Sequence, residues 1–402
     1  MKKTIINRAV AGLPTMAVVL AGAMAATASL PALAADADGQ LKIGGALRAR
    51  YDHSFDNAQN VSKLSFDTFR IDLNYDSPGL YGSAQYRFYG GAFPYDYTSQ
   101  VGRINFPAFA WLGYKLGDGT RVVAGLNQLP FGLLPYASNT FYQTLINNIG
   151  LEDVHDLGVK LQHRAGPLDI QVGFYPMDGG SWAGTSRGGA RYSVNVVRAD
   201  AGLAGGSNNR ERNLLVGRVG YALQDSDSAR SELGISALRS SLDNLDTDGK
   251  GQRKAYAAHY AGKFGAFGVL AEAGRQSMSP RNPASVGNAT VSFGAFDGSF
   301  NVASKGSFHS TELSYLLPGS LGPVNSITPY LNYSVFTKDQ AGFKDSRRFI
   351  AGAHFNAGPL FIYTEMRWGK NDPYTGDYAN GAGAGGDDVW KKVFYANIGY
   401  YF

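Results

Sequence analysis

The sequence predicts an all-β fold: a membrane-spanning antiparallel β-barrel of about 16 strands, with 18 possible, long loops at the outer rim and short turns at the inner one. Three observations predict it. The 402 residues include 52 Gly, 24 Tyr and 23 Phe, and only 17% are charged, against about 25% in an ordinary soluble domain. Apolar and polar residues alternate with period two in segment after segment. Turn signals separate those segments at short, regular intervals. The absence of cysteine excludes a disulfide scaffold, a thiolate metal site and a thiol nucleophile.

The chain opens on an export pattern. Lys2, Lys3 and Arg8 precede an apolar stretch over 9–30, and Ala32-Leu33-Ala34 places small residues where a signal peptidase reads them. Residues 1–34 are therefore read as a secretory signal, with the barrel over 35–402. Their removal takes away three bases and no acid, so the net charge falls from +5 to +2. That near-neutral balance gives no motive for nucleic-acid binding.

No apolar run beyond residue 34 is long and unbroken enough for a membrane helix. The longest uncharged run, Val122–Leu151, contains Pro130, Pro135 and several Asn and Gln, which hydrocarbon does not tolerate in one helix. Strand patterns take its place. Leu41, Ile43, Leu47 and Tyr51 alternate with Lys42, Arg48, Arg50 and Asp52; Phe69, Ile71, Leu73 and Tyr75 alternate with Arg70, Asp72 and Asn74. Leu80–Phe88, Leu360–Trp368 and Phe394–Phe402 repeat the pattern, which puts one face of each strand in an apolar setting and the other in a polar one. A soluble sandwich also alternates, but its strands rarely carry Arg and Glu at mid-strand on one face and Tyr, Phe and Trp near the ends of the other. The second arrangement is that of an interfacial aromatic girdle.

Seven short turns are readable, among them Asp76-Ser77-Pro78-Gly79, Gly117-Asp118-Gly119 and Ala357-Gly358-Pro359. Gly and Pro supply the dihedrals of tight reversals. Eight longer polar segments lie between them, and fifteen connections give sixteen strands with both ends on the short-turn side. Segments 192–197 and 290–303 are ambiguous. Each reads either as an excursion within a loop or as part of an extra barrel hairpin, which is how 18 strands arise.

The residues Gly125-Leu126-Asn127-Gln128-Leu129-Pro130-Phe131-Gly132 and Gly150-Leu151-Glu152-Asp153-Val154-His155-Asp156-Leu157-Gly158, together with the terminal Ile398, Tyr400 and Phe402, resemble the phosphate-selective porin O/P family of Gram-negative outer membranes. The resemblance implies a sixteen-stranded channel, commonly a homotrimer, with the third long loop folded into the lumen. It also implies outer-membrane localisation and partners limited to membrane lipid and small hydrophilic solutes or ions, and makes Phe402 part of the signal read by the assembly machinery. The chain departs from the family's basic constriction: residues 122–159 contain no Lys or Arg.

Alternation places Arg48 and Arg50 on the first strand, Arg70 on the second, Arg87 on the third, Arg348 on the fourteenth and Arg367 on the fifteenth, all facing inward. Closure of the barrel makes these six one continuous basic wall. The third loop carries Phe131, Tyr136 and Phe141 with Glu152, Asp153 and Asp156. A basic wall facing an acidic loop sets up a transverse field at the narrowest point. The competing arrangement is that the arginines pair with Asp52, Asp72 and Glu365 and brace the wall. The function expected is passive diffusion of small hydrophilic solutes or ions with low solute specificity and weak anion preference at most, and replacement of Arg48 and Arg50 by Ala shifts selectivity toward cations. Phosphate or sugar selectivity is the alternative. An enzymatic barrel is a further one, but needs a nucleophile and base near the outer rim. Gly184-Thr185-Ser186-Arg187-Gly188 fits a nucleophile-elbow pattern but lies in a Gly/Ser-rich loop. No cofactor or metal site is expected from the sequence.

Overall fold

Alternating side chains need two different environments, and a closed sheet provides them. In the computed structural model, which describes residues 39–55, 61–91, 98, 100–226 and 228–402, sixteen antiparallel strands close into a barrel. The predicted export signal over 1–34 lies outside the described residues. Of the two units into which the chain divides, Met1–Gln40 and Leu41–Phe402, the second holds the barrel.

In chain order the strands are β1 (Gln40–Ser54), β2 (Val61–Asp76), β3 (Leu80–Tyr89), β4 (Ile104–Gly117), β5 (Thr120–Gln128), β6 (His155–Ala165), β7 (Leu168–Asp178), β8 (Asn195–Val196), β9 (Asn209–Asp225), β10 (Ala229–Asn244), β11 (Lys250–Phe264), β12 (Phe267–Ser279), β13 (Thr290–Ala295), β14 (Gly298–Ala303), β15 (Lys305–Tyr315), β16 (Ser326–Lys338), β17 (Ser346–Ala357), β18 (Leu360–Lys370) and β19 (Trp390–Tyr401). Only β8, β13 and β14 stand apart, as a three-stranded sheet. Segments 192–197 and 290–303 are thus loop excursions that pair with each other, Phe293 opposite Val196 and Gly294 opposite Asn195. The strand number is sixteen, not eighteen.

The last strand closes on the first, from Ala46 opposite Tyr401 to Ser54 opposite Val393. Gly45 and Phe402 exchange backbone hydrogen bonds at this seam. Closure leaves no strand edge unpaired, as hydrocarbon demands. The seven short turns lie at the end that also holds β1's start and β19's finish. Gly358, at a φ of +60°, shows why one such turn uses glycine.

The barrel is the inverse of a soluble one. On β1 the outward Leu47 is 46% exposed and the adjacent inward Arg48 8%. On β9 Leu215, Val219 and Tyr221 are exposed while Arg218 is buried. Exposed Tyr114, Tyr221, Phe264, Phe267, Tyr400 and Phe402 cluster at the short-turn end, where an interfacial belt of aromatics is favoured. The outside therefore faces lipid, and the polar and charged residues face the lumen.

Part of the lumen is filled. Phe131, Ile146, Ile149 and Leu151 of the third long loop (129–154) pack with Val194, Val196, Phe293, Phe300 and Val302 around the three-stranded sheet. Leu238, Leu242, Phe308 and Phe336 of the wall complete this dry core. It occupies the β9–β16 side and leaves space beside β1–β3.

Candidate functional site

The third loop crosses the lumen because the wall satisfies its backbone. Inward glutamates accept its N–H groups: Glu272 from Leu133 at 2.9 Å, Glu312 from Asn139 at 2.9 Å and Glu365 from Phe141 at 2.7 Å. Inward arginines donate to its carbonyls: Arg218 to Gly132 at 2.8 Å, Arg253 to Gly150 at 2.7 Å and Arg348 to Gln143 at 3.2 Å. A one-turn helix, α1 (Leu145–Asn148), is capped by Thr144, whose hydroxyl accepts from Ile146 N at 3.0 Å. Charged partners suit buried backbone groups because such hydrogen bonds are about twice as strong as neutral ones.

Between this loop and the wall lies a cavity of about 270 Å³. Arg48, Arg50, Arg70 and Arg87 line one side; Tyr136, Phe141 and Tyr142 of the loop line the other. Arg48 pairs with Asp67 at 3.1 Å, Arg50 with Asp52 at 2.6 Å and Arg70 with Asp72 at 2.6 Å. Arg87 differs. Its Nε donates to Gln85 at 2.6 Å, and its guanidinium lies 4.3 Å from the centre of the Tyr192 ring. Among the described residues, no carboxylate lies within ion-pair distance of it. Arg87, Tyr136 and Tyr192 also line a second cavity of about 260 Å³, which contains Asp153, His155 and Lys160.

The six predicted wall arginines therefore divide. Arg348 and Arg367 are not in the cavity. Arg348 is fully buried in a bidentate pair with Asp372, at 2.8 and 2.5 Å, and reaches Asn148 of the loop at 2.8 Å. Arg367 is 2% exposed, donates to Tyr374 O at 2.5 Å and lies 3.9 Å over the Tyr142 ring. Both hold loops in place, since their donors go to Gln143, Asn148 and Tyr374.

The predicted acidic loop face is also revised. Glu152 turns into its own loop and accepts from Ala137 N at 2.9 Å, Thr144 N at 3.0 Å and the Thr144 hydroxyl at 2.7 Å. Asp156 lies on β6 and accepts from Asn195 of β8 at 2.8 Å. Phe131 belongs to the dry core. What faces the basic wall is aromatic: the Arg48 guanidinium lies 5.4 Å from the Phe141 ring and Arg50 5.0 Å from Tyr142. Asp153 lines a cavity together with the wall arginine Arg87. It accepts from Tyr192 Oη at 2.5 Å and from Gln143 at 2.7 Å. Burial pushes its carboxyl up to about 7, against the opposing effect of those hydrogen bonds and of Arg87. The charge of Asp153, and burial after it, pushes Tyr136 up to about 12.

Glu272, Glu312, Arg218 and Arg253 are the anchors that the sequence reading does not single out. Their signal is a charge on the inward face of a strand, the same one that marks Arg48 and Arg87. The elbow-like loop has other work: Ser186 Oγ donates to Asp200 at 2.9 Å and accepts from Gly189 N at 2.8 Å.

The fold is similar to those of solved outer-membrane channels. The outer-membrane channel DcaP of Acinetobacter baumannii superposes with a TM-score of 0.57 at 12% identity, over 93% of this chain and 100% of that one. An anion-selective porin from Comamonas acidovorans gives 0.56 at 15%, over 91% and 100%. OmpT, an outer-membrane protein of Vibrio cholerae in its trimer form, gives 0.55 at 12%, over 91% and 100%. No protein-family model matches the sequence, and no curated protein matches it.

Proposed function

We propose that the chain is a porin of a Gram-negative outer membrane: a passive channel for small hydrophilic solutes and ions, with modest anion preference and no enzymatic activity. The observation that carries the reading is Arg87, a cation with a neutral partner at the junction of two luminal cavities. Three further arginines beside it are each offset by an aspartate, so the wall offers one net positive charge rather than four. A phosphate-selective site needs many donors to replace a tightly held hydration shell, and the loop opposite supplies none that is cationic. The fold shared with an anion-selective porin supports the channel reading.

Planar-bilayer reversal potentials in a salt gradient test it. Arg87→Gln lowers the anion-to-cation permeability ratio by on the order of threefold, less at high salt. The paired replacement Arg50→Gln with Asp52→Asn leaves the ratio nearly unchanged, because it removes no net charge. Arg48 and Arg50 changed to Ala without their partners move it toward cations, since Asp67 and Asp52 are left uncompensated. An unmoved ratio in Arg87→Gln overturns the mechanism, and block of the wild type by micromolar phosphate overturns the low specificity.

We further propose that residues 1–34 are removed on export and that Phe402 helps the barrel assemble. N-terminal sequencing of the membrane-inserted protein then begins at Ala35, and deletion of Phe402 lowers the yield of heat-modifiable barrel. The proposed assembly is a homotrimer, a closed cyclic arrangement that the trimer form of the Vibrio cholerae protein of similar fold supports. Native mass spectrometry in detergent is expected to show the trimer, and monomer alone counts against it.

A further inference from the structure

We propose that the outer face of β9–β12, at its long-loop end, is a docking site for the phosphate groups of a phosphorylated lipid headgroup in the outer leaflet. This proposal rests on the barrel's placement in a membrane and not on what the pore conducts. Arg239 of β10 and Lys254 of β11 are direct cross-strand partners. Both are exposed, while Leu238, Ser240, Arg253 and Ala255 beside them are buried, so both point outward. Two cations so paired, with Cβ atoms about 5 Å apart, repel each other.

Their surroundings do not cancel that charge. Among the described residues, neither Arg239, Lys254 nor Arg281 has a carboxylate within ion-pair distance. Asp243, on the same strand as Arg239, is shared by Arg212 at 3.5 Å and Lys250 at 3.1 Å. Asp246 is engaged by Asn208 at 3.0 Å. A further cation on the rim, Lys305, is in register with Lys254 through Ser277.

The patch is also concave. Arg239, Lys250 and Arg281 line a groove of about 250 Å³ together with Ser241, Gln252 and Ser279. Lys250 is offset by Asp243, but Arg239 and Arg281, with hydroxyl and amide donors between them, match a tetrahedral oxyanion, and the arginine fork matches two of its oxygens at once. Directly toward the short-turn end the same outward face becomes apolar, with exposed Leu233, Ile235 and Tyr256. Acyl chains would lie there, and the aliphatic stems of Arg239 and Lys254 extend along that band while their charges reach the headgroup level. An amphiphile with phosphate above and acyl chains below fits both halves, whereas a free anion uses only the upper one.

The experiment incubates the full-length folded protein, in detergent, with lipid A carrying two phosphates, with the same lipid enzymatically dephosphorylated, and with inorganic phosphate alone, and reads bound adducts by native mass spectrometry. Wild type is expected to retain the phosphorylated lipid on the order of tenfold better than the dephosphorylated one. Arg239→Ser with Lys254→Ser should bring the two within about twofold while heat-modifiability and conductance stay as in wild type. Arg239→Lys with Lys254→Arg keeps the charge and should keep the preference, which covers the case in which the serine variant does not assemble. Equal retention of both lipids by wild type overturns the proposal. So does a preference that survives in the folded serine variant. Adducts of inorganic phosphate that are lost in the serine variant, with no gain from acyl chains, assign the groove to a free anion instead and also overturn it.

Discussion

Replacing Arg348 with Met should destabilise the barrel by about 3–5 kcal/mol, the cost of leaving a buried charge without its partner. Arg348 and Asp372 are both fully buried. Removing the guanidinium strands the Asp372 carboxylate, which Arg348 holds below the usual carboxylate range despite a burial that pushes it up. The same change deletes donors to Tyr142 O, Gln143 O and the Asn148 side chain, so the third loop loses one of its anchors to the wall. Two measurements check this. The temperature of the heat-modifiability transition falls, and single-channel current becomes noisier as the loop moves. Asp372→Asn in the same chain should recover much of the loss, since a neutral amide is cheaper to bury than a lone carboxylate. Equal losses in single and double variants would show that the loop contacts, not the ion pair, carry the stability.

The barrel is legible in the sequence because a lipid-facing sheet imposes one rule on every strand. Leu47, Ile235 and Ile398 must all face hydrocarbon, and the turns that join the strands have strong residue preferences. The extra sheet is less legible, since Asn195–Val196 and Gly298–Ala303 alternate no differently from barrel strands. Their partners are decided by distant loops. The inward direction of the arginines is local information and can be read. Their charge balance is not local. Arg48 meets Asp67 across nineteen positions of chain, a match set by the barrel's register, and Arg348 meets Asp372 only because the last long loop folds back. The acids of the third loop mislead for a related reason. Glu152 is surrounded by unpaired backbone N–H groups of a loop that has left water, and it satisfies them rather than facing the pore. In a buried loop a carboxylate serves the backbone first.

Anion preference should decline as pH rises from 5.5 to 8.5. Asp153 has its carboxyl pushed up to about 7 by burial, so it is neutral at the lower pH and charged at the higher. Once ionised it shares a cavity with Arg87, which among the described residues has no carboxylate within ion-pair distance, and offsets it. The sign for stability runs the same way. The folded protein holds this proton more tightly than the unfolded chain, whose carboxyl has the ordinary value of 3.8. Its contribution to stability is therefore greatest below about 4 and declines as pH climbs to about 7. The other groups facing Asp153 include Tyr192 and Gln143, which donate to it, Tyr136, Glu152, and His155 at 3.7 Å. Reversal potentials across the pH range check the effect. The permeability ratio in wild type should fall by on the order of threefold, as expected for one charge at a narrow, partly screened site. Asp153→Asn should lose most of the slope and hold close to the value that wild type shows at pH 5.5. His155→Gln, which leaves the carboxyl in place, should retain the slope. A slope that disappears in His155→Gln and persists in Asp153→Asn would move the titrating group from the carboxylate to the imidazole.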